Sequence, residues 1–214
     1  LIKYNPGDDA CETYDLPRFA KLFTPLSDGR FIIQDQRTHL YMYDSKTRSV
    51  VDPGPFFPGE VDDFVRDLYV DSRKWLWILT NAGLWKIDLE EETSERYGLD
   101  DGFTDQRFTA IFEDGDQRIW LGTYASGLYI LNPVNRDLIN IRAEDGLSNN
   151  AVMSMIGDQK GMVWVGTEYG ISLLTEKGEI VTSIYEEDGL SYEVFERFDA
   201  FRGTDGTLYF GSRH

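Results

Sequence analysis

The chain has 214 residues, a formal net charge of −17, 41% hydrophobic and 14% aromatic residues. That is enough apolar mass for one large all-β domain or two small domains, and too many aromatics for low-complexity disorder. The charge argues against nucleic acid and anionic membranes, which demand clustered Lys and Arg, and mildly against polyanionic ligands such as uronates or sulfated glycans.

Cys11 is the one cysteine, so no internal disulfide forms; a reducing cytosol and a disulfide-free periplasmic domain both fit. No apolar run approaches the roughly 20 residues that span a bilayer, and Leu1 opens no signal-peptide pattern. The chain reads as a mature domain or an excised piece of something longer.

Along the chain, one pattern returns. A degenerate copy, RFIIQDQRTHLYMYD, runs from Arg30 to Asp44. KWLWILTNAGLWKID follows at Lys74–Asp88, RIWLGTYASGLYILN at Arg118–Asn132 and VWVGTEYGISLL at Val163–Leu174. TLYFGSRH, from Thr207 to His214, is a copy cut short. The matching residues Ile32, Trp77, Trp120, Trp164 and Tyr209 are spaced by 45, 43, 44 and 45. A second landmark keeps the step: Asp-Gly-Phe-Thr at 101–104, then Asp-Gly-Leu-Ser at 145–148 and 188–191.

Each unit reads as four short strands. In the clearest unit they are predicted at 151–156, 163–167, 171–174 and 179–185, with turns at 158–161, 169–170 and 176–178. Helical stripes are absent, and four strands per 40–45 residues is the signature of a β-propeller. The fold class is therefore all-β, with antiparallel four-stranded blades and about five blade-equivalents. Trp77, Trp120 and Trp164 suit the wedge between blades, and Gly122, Gly166 and Gly211 suit crowded strands near the axis. Gly83, Gly127 and Gly170 suit hairpins that require positive φ.

The expected blades cover about 16–60, 61–104, 105–147 and 148–195, with a split blade from 1–14 and 196–214. Leu1 is in phase with Leu40, Leu84, Leu128 and Ile171. Two readings stay open: the ends close a five-bladed ring, or the chain is a segment of a larger ring.

Chemistry is sparse. Two histidines and one cysteine cannot build a His/Cys zinc site, no Ser-His-Asp set or phosphate loop is visible, and no cofactor is expected. Asp114-Gly115-Asp116 has the look of a calcium loop but lacks the later ligands and falls at a turn. Asp145 and Asp188 recur in register, as loop-capping carboxylates would. A glycosidase would need two converging carboxylates, for which Glu168 and Glu193 are the candidates.

Binding is better placed on the loops entering each first strand and between second and third strands, which share one face and differ between units. There Arg107, Tyr124, Asn149, Asn150, Tyr169, Tyr192 and Arg213 are the candidate ligand-binding residues, their aromatic and amide groups suiting sugar stacking and hydroxyl recognition.

Asp-Gly-Leu-Ser, an apolar strand, then Asp-x-x-Gly-x-Val-Trp-Val-Gly-Thr and Tyr-Gly-Ile resemble the two-component regulator propeller repeat. The best matches are 102–131 and 146–174; 65–88 is weaker, with Leu79-Thr80 for Gly-Thr, and 22–44 is poor. The final copy, with Leu208-Tyr209-Phe210-Gly211, resembles a closing repeat of such a sensor. The resemblance implies the extracytoplasmic, periplasmic sensor region of a bacterial hybrid histidine kinase. It implies a non-catalytic domain that detects a nutrient such as a glycan fragment, relays to the kinase and pairs as a homodimer through the parent protein. A propeller glycoside hydrolase or lyase, and a lectin-like or scaffold propeller, are the alternatives.

Overall fold

The structure is a computed structural model that describes residues 2–5, 7, 9–13, 20–35, 39–54, 57, 65–190 and 195–212. Among the described residues it is all-β apart from three single-turn 3-10 helices. Two compact units emerge, Leu1–Ile78 with Trp85–Arg96, and Leu79–Leu84 with Tyr97–His214. No helix of the described residues is long and apolar enough to cross a membrane.

The first unit holds a hairpin of β1 (Ile2–Asn5) and β2 (Ala10–Thr13). It also holds a meander of β3 (Ala20–Pro25), β4 (Arg30–Asp35), β5 (Leu40–Asp44) and β6 (Ser49–Val51). Most of a second meander follows: β7 (Val65–Val70), β8 (Leu76–Thr80), β9 (Leu84–Asp88) and β10 (Thr93–Tyr97). Ile32, Met42, Leu68, Leu76, Ile78 and Ile87 belong to one buried cluster that joins these sheets.

The second unit repeats the plan. Its sheets are β11 (Phe108–Glu113), β12 (Ile119–Thr123), β13 (Leu128–Leu131) and β14 (Leu138–Ile141), then β15 (Val152–Gly157), β16 (Met162–Thr167), β17 (Ile171–Thr175) and β18 (Ile180–Ile184). A hairpin of β19 (Phe195–Arg202) and β20 (Leu208–Ser212) follows. The four strands of β15–β18 lie within two residues of their predicted ends. All five residues of β8 and of β12, the second strands of their meanders, are buried.

What the sequence does not announce is the carboxylate behind each tryptophan. The Trp77, Trp120 and Trp164 indole N–H groups donate to Asp71, Asp114 and Asp158 Oδ2, at 2.9, 2.8 and 3.2 Å. Each aspartate sits six residues earlier and builds the turn between first and second strands with its other oxygen. An indole buried without an acceptor would cost a full desolvation penalty, so the pair is what makes a buried Trp tolerable there. In the degenerate copy Leu26 stands where the aspartate should be, and the Trp is correspondingly Ile32. The turn itself survives, since Leu26 N donates to Arg30 O as Asp114 N donates to Arg118 O.

The Gly-Thr pair is also scaffold. A Cβ on Gly122 would come within 2.6 Å of Val152 Cγ1, so only glycine lets β12 approach β15. Thr80, Thr123 and Thr167 donate to the carbonyls of Gly83, Gly127 and Gly170, closing the turn between second and third strands. Trp120 lies in one buried cluster with Leu128 and Ile130 of its own sheet and Val152, Met155 and Val165 of the next, the wedge expected for it.

Candidate binding face

The Asp-Gly-[Phe/Leu]-[Thr/Ser] landmark is a capping device that leads into each first strand. The Asp101, Asp145 and Asp188 carboxylates accept from the backbone N–H of Gly98, Arg142 and Tyr185 at 2.9, 2.9 and 3.0 Å, closing a 3-10 turn. The following Thr104 is fixed by Tyr129, whose hydroxyl accepts from Thr104 N at 2.9 Å. One repeat later Ser172 Oγ, in the register of Tyr129, accepts from Ser148 N at 2.8 Å. The hydroxyl partner changes while the loop keeps its shape.

This loop delivers Arg107 to the surface. Its Nε and Nη2 donate to Asp105 Oδ1 and Oδ2 at 2.9 and 3.1 Å, and its guanidinium stands 5.0 Å from the Tyr124 ring centroid. Tyr124 comes from the turn after β12, locked in place because its N–H donates to Arg107 O at 3.1 Å. Asp105 also accepts from Ala125 N at 2.9 Å. Burial works against ionisation of Asp105, but the Arg107 bonds outweigh it and hold the carboxyl below its ordinary range. Asp105 is buried, whereas the Arg107 side chain is 51% exposed and Tyr124 is 39% exposed. The result is a pre-set cation and aromatic ring facing solvent on an immobilised carboxylate.

In the next blade the same skeleton carries different chemistry. Asn149 takes the register of Asp105 and accepts from Ala151 N at 2.8 Å. Ala151 replaces Arg107, and Glu168 replaces Tyr124, keeping the N–H donation to Ala151 O at 2.9 Å. Asn150 spends its side-chain oxygen on Ala143 N at 2.8 Å and its backbone oxygen on Gly127 N at 2.9 Å. Tyr169 is half exposed, with its ring 5.6 Å from that of Tyr185. The structure therefore joins Arg107 to Tyr124, presents Tyr169 on the neighbouring turn and ties both asparagine oxygens to backbone. Tyr192, Arg213 and Glu193 lie outside the described residues. Asp105 is the residue that sequence reasoning passed over; its signal was the Asp-x-Arg spacing beside the variable loop.

The calcium-loop look of Asp114 has a structural cause, since its oxygens accept from Asp116 N, Arg118 N, Arg118 Nε and Trp120 Nε1. Among the described residues, no three His, Cys, Asp or Glu side chains are grouped to hold a metal ion.

Local geometry of this kind defines a repeat. Residues 102–125 and 146–169 match the two component regulator propeller model, and the two stretches are repeats of that type. Over 153 residues the chain is 26% identical to histidine kinase P4 of Formosa agariphila, covering 69% of this chain and 11% of that protein. It is also similar to the extracellular domain of a hybrid two component system from B. thetaiotaomicron (TM-score 0.78, 19% identity, 99% of this chain and 29% of that one). Virginiamycin B lyase from Staphylococcus aureus shares the fold as well (TM-score 0.66, 16% identity, 89% of this chain and 62% of that one). This chain thus spans a small part of the curated relative and of the extracellular domain, and the same fold occurs in an extracellular domain of a two component system and in a lyase.

Proposed function

We propose that this chain is part of the extracytoplasmic, periplasmic sensor region of a two-component signalling protein, without catalytic activity of its own. Its ligand is a small nutrient such as a neutral glycan fragment, and occupancy is relayed through a homodimeric parent protein to a histidine kinase. The observation that carries the reading is the Arg107–Tyr124 pair on Asp105, where a scaffold that otherwise repeats itself departs from its pattern. A fixed guanidinium supplies hydroxyl-directed donors and an exposed tyrosine supplies a stacking face, the combination that sugar rings require. Tyr169 on the next turn extends that face. The likeness to a histidine kinase and to an extracellular domain of a two component system supports the signalling context.

A thermal-shift screen of the chain against neutral oligosaccharides tests it. A ligand at 100 times its dissociation constant stabilises by about 2.7 kcal/mol. Tyr124→Ala is expected to abolish the shift while leaving the melting temperature of the free protein within about 2 °C, because the side chain is exposed. A shift that survives both Tyr124→Ala and Arg107→Ala, or none with any glycan, overturns the assignment.

A further inference from the structure

At the opposite ends of these strands lies a cavity of about 620 Å³, the size of a small-molecule site. The turns Asp114–Gly115 and Asp158–Gly161 form its rim, and Phe112, Ile156, Met162 and Val163 line its apolar part. Its charged lining is Glu113, Asp114, Asp158 and Glu176 on the acidic side and Arg202 on the basic side.

Among the described residues, neither Glu176 nor Arg202 has an ion-pair partner. The Glu176 carboxylate has no hydrogen-bond or ion-pair partner among the described residues, although its backbone oxygen accepts from Arg118 Nη2 at 2.6 Å. It is held in the cavity: a Cβ added to Gly115 or to Gly161 would lie 3.1 Å from its Oε1. Arg202 donates Nη1 to Gly157 O at 3.1 Å and forms no ion pair among the described residues. The neighbouring Asp114 and Asp158 are already committed to their turns and indoles. A partly buried carboxylate and an exposed guanidinium that do not pair with each other, lining one cavity with apolar surface, suit a ligand that carries both complementary charges.

We propose that this cavity binds a short zwitterion of the dipeptide class. The ammonium faces Glu176, the carboxylate takes the Arg202 fork, and an apolar side chain lies on Phe112 and Met162. The site is separate from the Arg107–Tyr124 face and does not depend on it.

Calorimetric titration of the whole chain with leucyl-leucine, N-acetyl-leucyl-leucine and leucyl-leucinamide tests the proposal. Leucyl-leucine is expected to bind at least about tenfold more tightly than either blocked analogue. Glu176→Gln is expected to erase the preference for the free amine and Arg202→Gln the preference for the free carboxylate, with melting temperatures recorded to show that both variants fold. Equal affinity for the three peptides, or no heat from leucyl-leucine up to about 10 mM, overturns it. The blocked-peptide comparison needs no variant, and Tyr124→Ala is expected to leave it unchanged, so failure here is distinguishable from failure of the sensor assignment.

Discussion

Asp114 shows how much a single side chain carries. Its buried carboxylate serves two backbone N–H groups, one guanidinium and one indole. Asp114→Asn places an NH2 against donors at Oδ2 and is expected to cost about 2–3 kcal/mol in urea unfolding. Adding Trp120→Phe should then cost less than the sum of the two changes, because the shared bond is already lost. Asp67 behaves in the opposite sense: burial pushes its carboxyl up to about 6, only partly offset by the Leu68 N–H bond. The folded state binds this proton more tightly than the unfolded chain, whose value is about 3.9. The contribution is therefore complete below about pH 4 and is lost as pH rises through about 6. Asp67→Asn is expected to raise stability at pH 7.5 by about 1–2 kcal/mol, a gain that falls to about half near pH 5 and vanishes below about pH 4, as melting curves across this range would record.

At the scale of strands and turns, the sequence was most legible where periodicity and turn chemistry agree. The meander β15–β18 could be placed from its β-branched runs and glycine punctuation. The 3-10 turns could not, because Glu186-Glu187-Asp188 has no apolar period to announce a helix three residues long. The asparagine oxygens were not legible for a related reason: an amide on a variable loop looks the same in sequence whether its oxygen meets a ligand or, as in Asn149 and Asn150, a backbone N–H. The turns also differ in strain. Gln117 holds φ at 61°, where the equivalent Gly29, Gly161 and Gly206 hold 92°, 78° and 87°. Gln117→Gly is expected to stabilise by about 0.5–1 kcal/mol, the relief of left-handed backbone less the added freedom of the unfolded chain. Gly127 is the reverse case. With φ at 73° and a hypothetical Cβ 2.1 Å from Ile141 O, Gly127→Ala is expected to cost about 2–4 kcal/mol by urea denaturation.

Across the molecule, burial is lowest in the fourth strand of each four-stranded sheet. All residues of β8, β12 and β13 are buried, while β6 and β10 are largely exposed, no residue of β18 is fully buried and Ile139 of β14 is 47% exposed. Amide exchange is expected to be slowest in β12 and β13 and fastest in β10 and β18; uniform protection across a sheet would contradict this ordering. The repeat period gave the architecture because every blade solves the same packing problem. The face with Arg107 was only partly legible: variation between loops is visible in sequence, but the Asp105 support and the contact with Tyr124 depend on how two distant loops meet.

The indole–carboxylate bond has a consequence for how such a chain can grow. Donor and acceptor are six residues apart, so each repeat carries its own bond intact. The links from one sheet to the next are of another kind: Thr109 Oγ1 donates to Val152 O at 2.6 Å and Gly127 N to Asn150 O at 2.9 Å, both ending on main-chain acceptors. Duplicating a whole repeat in phase would orphan none of these groups, whereas an insertion within the six residues that join an aspartate to its tryptophan would break that bond. Genetic tandem duplication is thus free to change the number of blades, while selection acting on Arg107, Tyr124 and their counterparts changes what each blade presents.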